Sequence, residues 1–225
     1  MSAGLAAGFI ILCNPPGCFS LFLMLFCTYF CRVDVRTANL MSTNVHIAGL
    51  SGSLRKGSYN TALLRAALAN LPAGMTSEIV TFDEVPLYNA DQDTGERPAP
   101  VRIMRELLAK ADAFLIVSPE YNYSIPGGLK NAIDWASRGT DAPLMHKPVA
   151  LMGATPGMWG TVRMQLAFKP VFQFLDMKQI AKPEVLVAQA PSKFDDNGNL
   201  TDEKIKELVY RSLEALRDLT LQLRK

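Results

Sequence analysis

The sequence predicts an α/β fold, a doubly wound, five-stranded parallel sheet in three layers with helices on both faces. Three observations carry this. From Val45 onward, short apolar runs alternate strictly with amphipathic ones. The run "AFLIVSP", Ala113 to Pro119, is apolar almost throughout and needs cover on both faces. A turn rich in glycine and serine directly follows the first apolar run, where such a sheet places a ligand loop.

Each element follows from its local pattern. "VHIAGL", from Val45, is a buried first strand. After the turn, Asn60 is the expected cap of a helix whose apolar positions Leu63, Leu64, Ala67, Leu68 and Leu71 recur at helical spacing. "SEIVTF", from Ser77, is the second strand, and "EVPLYNADQDTGERPAP" is a long polar connection of the kind that usually has a function. The second helix is expected from about Pro100 to Lys110, with Val101, Met104, Leu107 and Leu108 facing inward. The third strand is "AFLIVSP", and the third helix begins near Pro126 and ends around Arg138. "PVALMGA" is the fourth strand, and a fourth helix covers roughly Thr161 to Asp176, with a kink or early stop expected at Pro170. "PEVLVA" is the fifth strand. The last helix opens at Thr201, with Asp202 and Glu203 favourable at its positive end. Its stripe of Ile205, Leu208, Val209, Leu213, Leu216 and Leu219 faces the sheet. There is no internal repeat and no domain boundary after residue 45.

Composition narrows the function classes. A chain of 225 residues can bury a full core as one domain. Its formal charge of +2, without a long basic run, argues against nucleic acid as a partner. Cys13, Cys18, Cys27 and Cys31 all lie near the N-terminus, so the main domain has neither disulfides nor thiol ligands, and a cytoplasmic, reducing compartment is expected. His46 and His146 stand apart without metal-site spacing, and no metal is expected. Met1 to Cys31 holds no charged side chain, and its densest apolar run, "CFSLFLMLFCTYFC", is shorter than the roughly 20 residues a membrane-spanning helix needs. Residues 1–40 therefore read as an apolar extension outside the fold, and residues 41–225 as the folded domain. Membrane association, as an anchor or a leader, is open only through residues 1–40.

The turn "GLSGSLRKGSYN", Gly49 to Asn60, suits an anion. Ser51, Ser53 and Ser58 offer hydroxyls, Asn60 an amide and Arg55 a fixed charge, and the helix that follows offers free backbone N–H groups. A triphosphate loop wants lysine where Ser58 stands, and the glycine spacing does not give a dinucleotide fingerprint. A monophosphate cradle needs only what is present, and an ordinary polar turn is the structural alternative. "SPEYNYSIPGGLKNAIDWASR", Ser118 to Arg138, follows the third strand and combines two tyrosines with amide and backbone groups, as a flat heteroaromatic ring requires.

Together, "GSLRKGSYN" and "PEYNYSIPGGLKNAIDW" resemble the NADPH-dependent FMN reductase family, and within it the bacterial quinone and chromate reductases. The similarity runs from about Asn44 to Leu223. It implies a flavodoxin-like sheet of order 2-1-3-4-5. It also implies FMN as cofactor, NADPH or NADH as co-substrate, and no catalytic side chain, because the flavin carries the chemistry. The phosphate would fall on Ser51, Ser53, Arg55, Ser58 and Asn60, with Tyr59 beside them. The ring would lie along Pro119, Glu120, Tyr121, Asn122 and Tyr123. A third loop, "GATPGMWG", would supply Thr155 and Gly157, and here Trp159 is bulkier than the residues the family places beside the ring.

The function so implied is an NAD(P)H oxidoreductase with a ping-pong mechanism. Its small-molecule electron acceptor would be a quinone, flavin, azo compound or metal oxyanion such as chromate. The alternative from another class is a flavodoxin-type electron-transfer protein, which is usually strongly acidic, unlike this chain. The resemblance also implies a homodimer or homotetramer. The apolar run "MQLAFKPVFQFL", Met164 to Leu175, offers surface for that assembly.

Overall fold

Val45 to Ser51 forms the interior strand β1, and only His46 and Ser51 in it escape full burial. The computed structural model describes residues 44–224. The reading of residues 1–40 as an extension, with Cys13, Cys18, Cys27 and Cys31, lies outside the described residues. The remaining elements follow in alternation: α1 (Tyr59–Ala69), β2 (Met75–Ile79), α2 (Ala99–Lys110), β3 (Ala113–Val117), α3 (Gly127–Ala136), β4 (Pro148–Ala154), α4 (Val162–Phe174), β5 (Lys178–Gln179), β6 (Val185–Val187) and α5 (Glu203–Leu223).

All pairings are parallel, and the order β2-β1-β3-β4-β5 is the expected 2-1-3-4-5. The last edge differs from expectation. The predicted fifth strand, "PEVLVA", is β6, which pairs with Met152 to Ala154 of β4, and ahead of it a short strand that was not expected, β5, pairs with Pro148 and Val149. Pro183, in the segment between them, has no N–H to donate to a ladder.

The sheet divides two cores. On one face, Leu50, Phe114, Ile116 and Leu151 pack against α2, α3 and α4 through Met104, Trp135 and Phe168. On the other, Ile47, Leu115, Val117 and Met152 meet α1 and α5 through Leu63, Leu64, Leu213 and Leu216. Successive β3 residues alternate between the two cores, which is why the strand reads as uniformly apolar. Ile205, Leu208, Val209, Leu213 and Leu216 of the α5 stripe join the core as expected, but Leu219 does not and Thr220 is buried instead; Asp202 caps the helix by accepting from the Ile205 N–H at 3.1 Å.

Two local expectations need correction. Ser58, not Asn60, caps α1, accepting from the N–H groups of Asn60 and Thr61 at 3.2 and 3.4 Å. Pro170 does not stop α4, which continues to Phe174. The carbonyl it leaves without an intrahelical donor belongs to Leu166, on the exposed side, where water can serve it. The long connection after β2 is strapped to α3. The Pro86 carbonyl accepts from both Asn131 Nδ2 and Trp135 Nε1 at 2.8 Å, and Asn131 Oδ1 accepts from the Tyr88 N–H at 2.7 Å.

Candidate functional site

The carboxyl ends of β1, β3 and β4 meet at one edge of the sheet, and two glycines allow it. A Cβ on Gly52 would sit 2.2 Å from Ser118 Oγ, and one on Gly153 would sit 1.9 Å from Thr161 Oγ1 and 2.7 Å from the Ser118 carbonyl oxygen. Only glycine permits these approaches. The three predicted loops are thereby brought together.

The first loop has its hydroxyls ordered before any ligand arrives. Ser51 Oγ lies 2.7 Å from Thr61 Oγ1 and accepts from the Ser53 N–H at 3.3 Å. Ser53 Oγ accepts from the Arg55 N–H at 3.4 Å, and Ser53 and Ser58 are buried. The Arg55 side chain folds back over the loop, since a Cβ on Gly57 would lie 3.3 Å from its NH1 atom. Among the described residues, the N–H groups of Lys56, Gly57, Ser58 and Tyr59 have no acceptor within the protein, and Arg55 and Lys56 form no ion pair. Unspent donors, a guanidinium and a helix N-terminus at one turn are a donor set that can accept an anion.

Asn60 and Tyr59 have other tasks. The Asn60 amide is committed to the Ala154 backbone at the end of β4. Tyr59 turns away and packs on Phe194, with ring centroids 5.4 Å apart. That pair lines a groove of about 820 Å³ between α1 and the segment Phe194 to Leu200. The groove touches the first loop only through Lys56 to Tyr59, so the convergence of strand ends, not the groove, marks the site.

In the second loop, Tyr121 and Ser124 exchange backbone hydrogen bonds at 3.1 and 2.9 Å across a tight turn. Asn122 and Tyr123 occupy the left-handed region there, with φ of 50° and 64°. This conformation is costly for a tyrosine and holds only where neighbours impose it. Glu120 supplies one restraint by accepting from the Arg163 and Met164 N–H groups at 2.9 and 3.2 Å, which caps α4 from outside. The Arg163 guanidinium lies 4.1 Å from the Tyr123 ring centroid and 4.9 Å from that of Trp159. Pro119 leads this loop, and the Tyr121 and Tyr123 side chains stay exposed. In the third loop, Thr155 Oγ1 accepts from the Gly157 N–H at 3.3 Å, and the Thr155 N–H donates to the Val187 carbonyl at 2.9 Å.

Sequence reading missed Thr61 and Arg163. Thr61 carried a signal, being a hydroxyl one turn beyond Ser58 on the helix that the loop opens. Arg163 carried none, since its partner Glu120 is 43 residues away in the chain. Among the described residues, no group of three His, Asp or Glu side chains is placed to hold a metal ion.

Comparison with known proteins identifies the family. Residues 45–192 match the family model for NADPH-dependent FMN reductase. An NAD(P)H-dependent FMN reductase of Pseudomonas aeruginosa is 45% identical over 176 residues, covering 78% of this chain and 95% of that one. A quinone reductase of Escherichia coli is 40% identical over 178 residues, covering 78% and 95%. Among solved structures, the flavoenzyme NAD(P)H:(acceptor) oxidoreductase of Paracoccus denitrificans superposes with a TM-score of 0.71 at 29% identity, covering 79% of this chain and 98% of that one. With its characteristic loops on the converging ends of β1 and β3 and a family match that runs from β1 to beyond β6, the chain belongs to the NADPH-dependent FMN reductase family.

Proposed function

We propose that this chain is an FMN-dependent oxidoreductase that takes electrons from NADPH or NADH and delivers them, in a ping-pong cycle, to a small-molecule acceptor. Quinones are the principal class, with free flavins, azo compounds and metal oxyanions such as chromate as further acceptors. Held by these loops, FMN would supply the hydride-accepting and electron-donating chemistry, which the protein's own side chains lack. In the net reaction, NAD(P)H, quinone and one proton give NAD(P)⁺ and hydroquinone.

The observation that carries this reading is the set of unspent donors at the first loop, beside the exposed tyrosines of the second. The N–H groups of Lys56 to Tyr59, the hydroxyls of Ser51, Ser53 and Ser58, and Arg55 would hold the phosphate. Pro119, Tyr121, Asn122 and Tyr123, with Thr155 and Gly157, would flank the ring. Asn60 and Glu120 would hold those loops in place rather than touch the ligand. No side-chain nucleophile is required, so the protein's part is to bind, orient and leave one face open.

Homodimer or homotetramer formation is part of the proposal. On α4, Met164, Phe168 and Phe172 are buried, but Leu166 and Phe174 are 61% and 68% exposed, which leaves apolar surface for a second copy. A cytoplasmic location is proposed with it. No helix of the described residues is long and apolar enough to cross a membrane. The test is anaerobic stopped-flow mixing of the FMN-loaded protein with NADPH. Loss of the visible flavin absorbance, followed by its return on adding a quinone, supports the reading. Absorbance that persists under NADPH and NADH alike overturns it.

A further inference from the structure

We propose that Trp159, backed by Arg163 and Tyr123, is the stacking platform that selects fused-ring quinones as acceptors. This inference rests on the oxidoreductase reading above and names its substrate class more closely.

The two tryptophans of the described residues differ sharply. Trp135 is 0% exposed, whereas Trp159 is 65% exposed at the rim formed by the third loop. A large aromatic surface left in water is a recognition feature when something holds it in one orientation. Arg163 does so. Its guanidinium lies over both the Trp159 and Tyr123 rings, at 4.9 and 4.1 Å from their centroids, and donates to Glu120 Oε1 at 3.4 Å. Glu120 itself is anchored on the start of α4.

The stack therefore joins the second loop to the third and presets the indole plane, so that little freedom is lost when a flat molecule stacks on it. Tyr123 is 70% exposed, and Met158, next to Trp159, is also exposed, so the platform has an apolar border. An indole is itself a fused bicycle. A bicyclic quinone can cover both of its rings, whereas a monocyclic quinone covers about half and gains correspondingly less. The neighbouring guanidinium also suits the negative charge that builds on a quinone oxygen as electrons arrive.

The experiment compares 1,4-naphthoquinone with 1,4-benzoquinone on the flavin-loaded full chain, for the parent, Trp159→Gly, Trp159→Phe and Ile103→Ala. In Trp159→Gly the ratio of kcat/KM values, naphthoquinone over benzoquinone, falls about tenfold, mainly through KM for naphthoquinone, because most of the aromatic contact is gone. Trp159→Phe recovers part of that ratio, and Ile103→Ala, on α2 away from these loops, keeps it. A second readout needs no turnover: naphthoquinone saturably quenches the tryptophan fluorescence of the flavin-free parent, and the saturable part disappears in Trp159→Gly. Equal losses for both quinones, an unchanged ratio, or unaltered saturable quenching in Trp159→Gly overturns the platform. If anaerobic NADPH reduces the flavin of the parent while the ratio does not move, the platform alone fails. If no reduction occurs, the oxidoreductase reading fails with it.

Discussion

Asn60 and Ala154 are joined by two hydrogen bonds: Asn60 Nδ2 donates to the Ala154 carbonyl at 2.9 Å, and the Ala154 N–H donates to Asn60 Oδ1 at 2.8 Å. The two residues are 94 apart in the chain and buried, so one side chain ties the helix that follows the first loop to the end of β4.

Replacing Asn60 by Ala leaves both backbone groups of Ala154 buried without partners, at about 1–3 kcal/mol each before relaxation. The expected result is a melting temperature lower by roughly 4–24 °C, at about 2–4 °C per kcal/mol for a chain of this size, with relaxation favouring the low end. Asn60→Asp keeps an acceptor for the Ala154 N–H but turns a carboxylate toward its carbonyl, so it rescues little. Differential scanning calorimetry with and without FMN measures both variants.

Gly52→Ala and Gly153→Ala test the convergence of the strand ends. A Cβ on Gly52 would come within 3.0 Å of the Ser118 Cα, and one on Gly153 within 2.7 Å of the Ser118 carbonyl oxygen, so backbone as well as side chains must move. Each substitution should cost about 1–3 kcal/mol in unfolding experiments. Each should also weaken FMN binding in a fluorescence titration by about tenfold or more, because the loops separate. Gly95→Ala meets nothing within 4 Å and serves as the silent control.

Glu120→Ala removes the carboxylate that caps α4 and braces Arg163. A loss of about 1–2 kcal/mol is expected from the cap alone. Glu120→Gln keeps one oxygen for the Arg163 and Met164 N–H groups and should recover about half of it. Thermal melts of the flavin-free protein separate this structural effect from any effect on turnover.

Asp141 supplies a pH-dependent contribution away from the site. A hydrogen bond from the Arg105 side chain holds its carboxyl below the ordinary value of 3.8. The pair is 2.8 Å apart, and Arg105 NH1 also donates to the Trp135 carbonyl at 2.8 Å. Because the folded value is depressed, the contribution is complete above pH 3.8 and is lost as pH falls through the folded value. Asp141 is mostly exposed, so the effect is about 1 kcal/mol or less. Asp141→Asn should therefore melt slightly below the parent at pH 7, with the gap closing below pH 3.8. Paired melts across that range check the sign.

Much of this fold was legible because its rules are local. The apolar runs of β1, β3 and β4 appear where expected, since strands covered on both faces need no alternation. At the last edge β6 was legible in "PEVLVA", but β5 was not, because two residues are too few to leave a pattern. In the site, the hydroxyls and glycines of the first loop could be read directly. The tasks of Asn60, Tyr59 and Glu120 could not, because each depends on a partner brought near by the sheet. The bulk of Trp159 stood out in the sequence, but its reason, the Arg163 stack, lies only in three dimensions.

The central claim is that the first loop holds the terminal phosphate of FMN, and comparing FMN with riboflavin tests it most directly. The two ligands share the same ring and ribityl chain and differ only in that phosphate. Titration of the flavin-free protein, followed by flavin fluorescence, should give FMN an affinity at least about a hundredfold above riboflavin, the scale of two or more charge-assisted hydrogen bonds. In Arg55→Ala and Ser58→Ala that gap should shrink, with riboflavin binding little changed. Equal affinity of the parent for both flavins would contradict the claim.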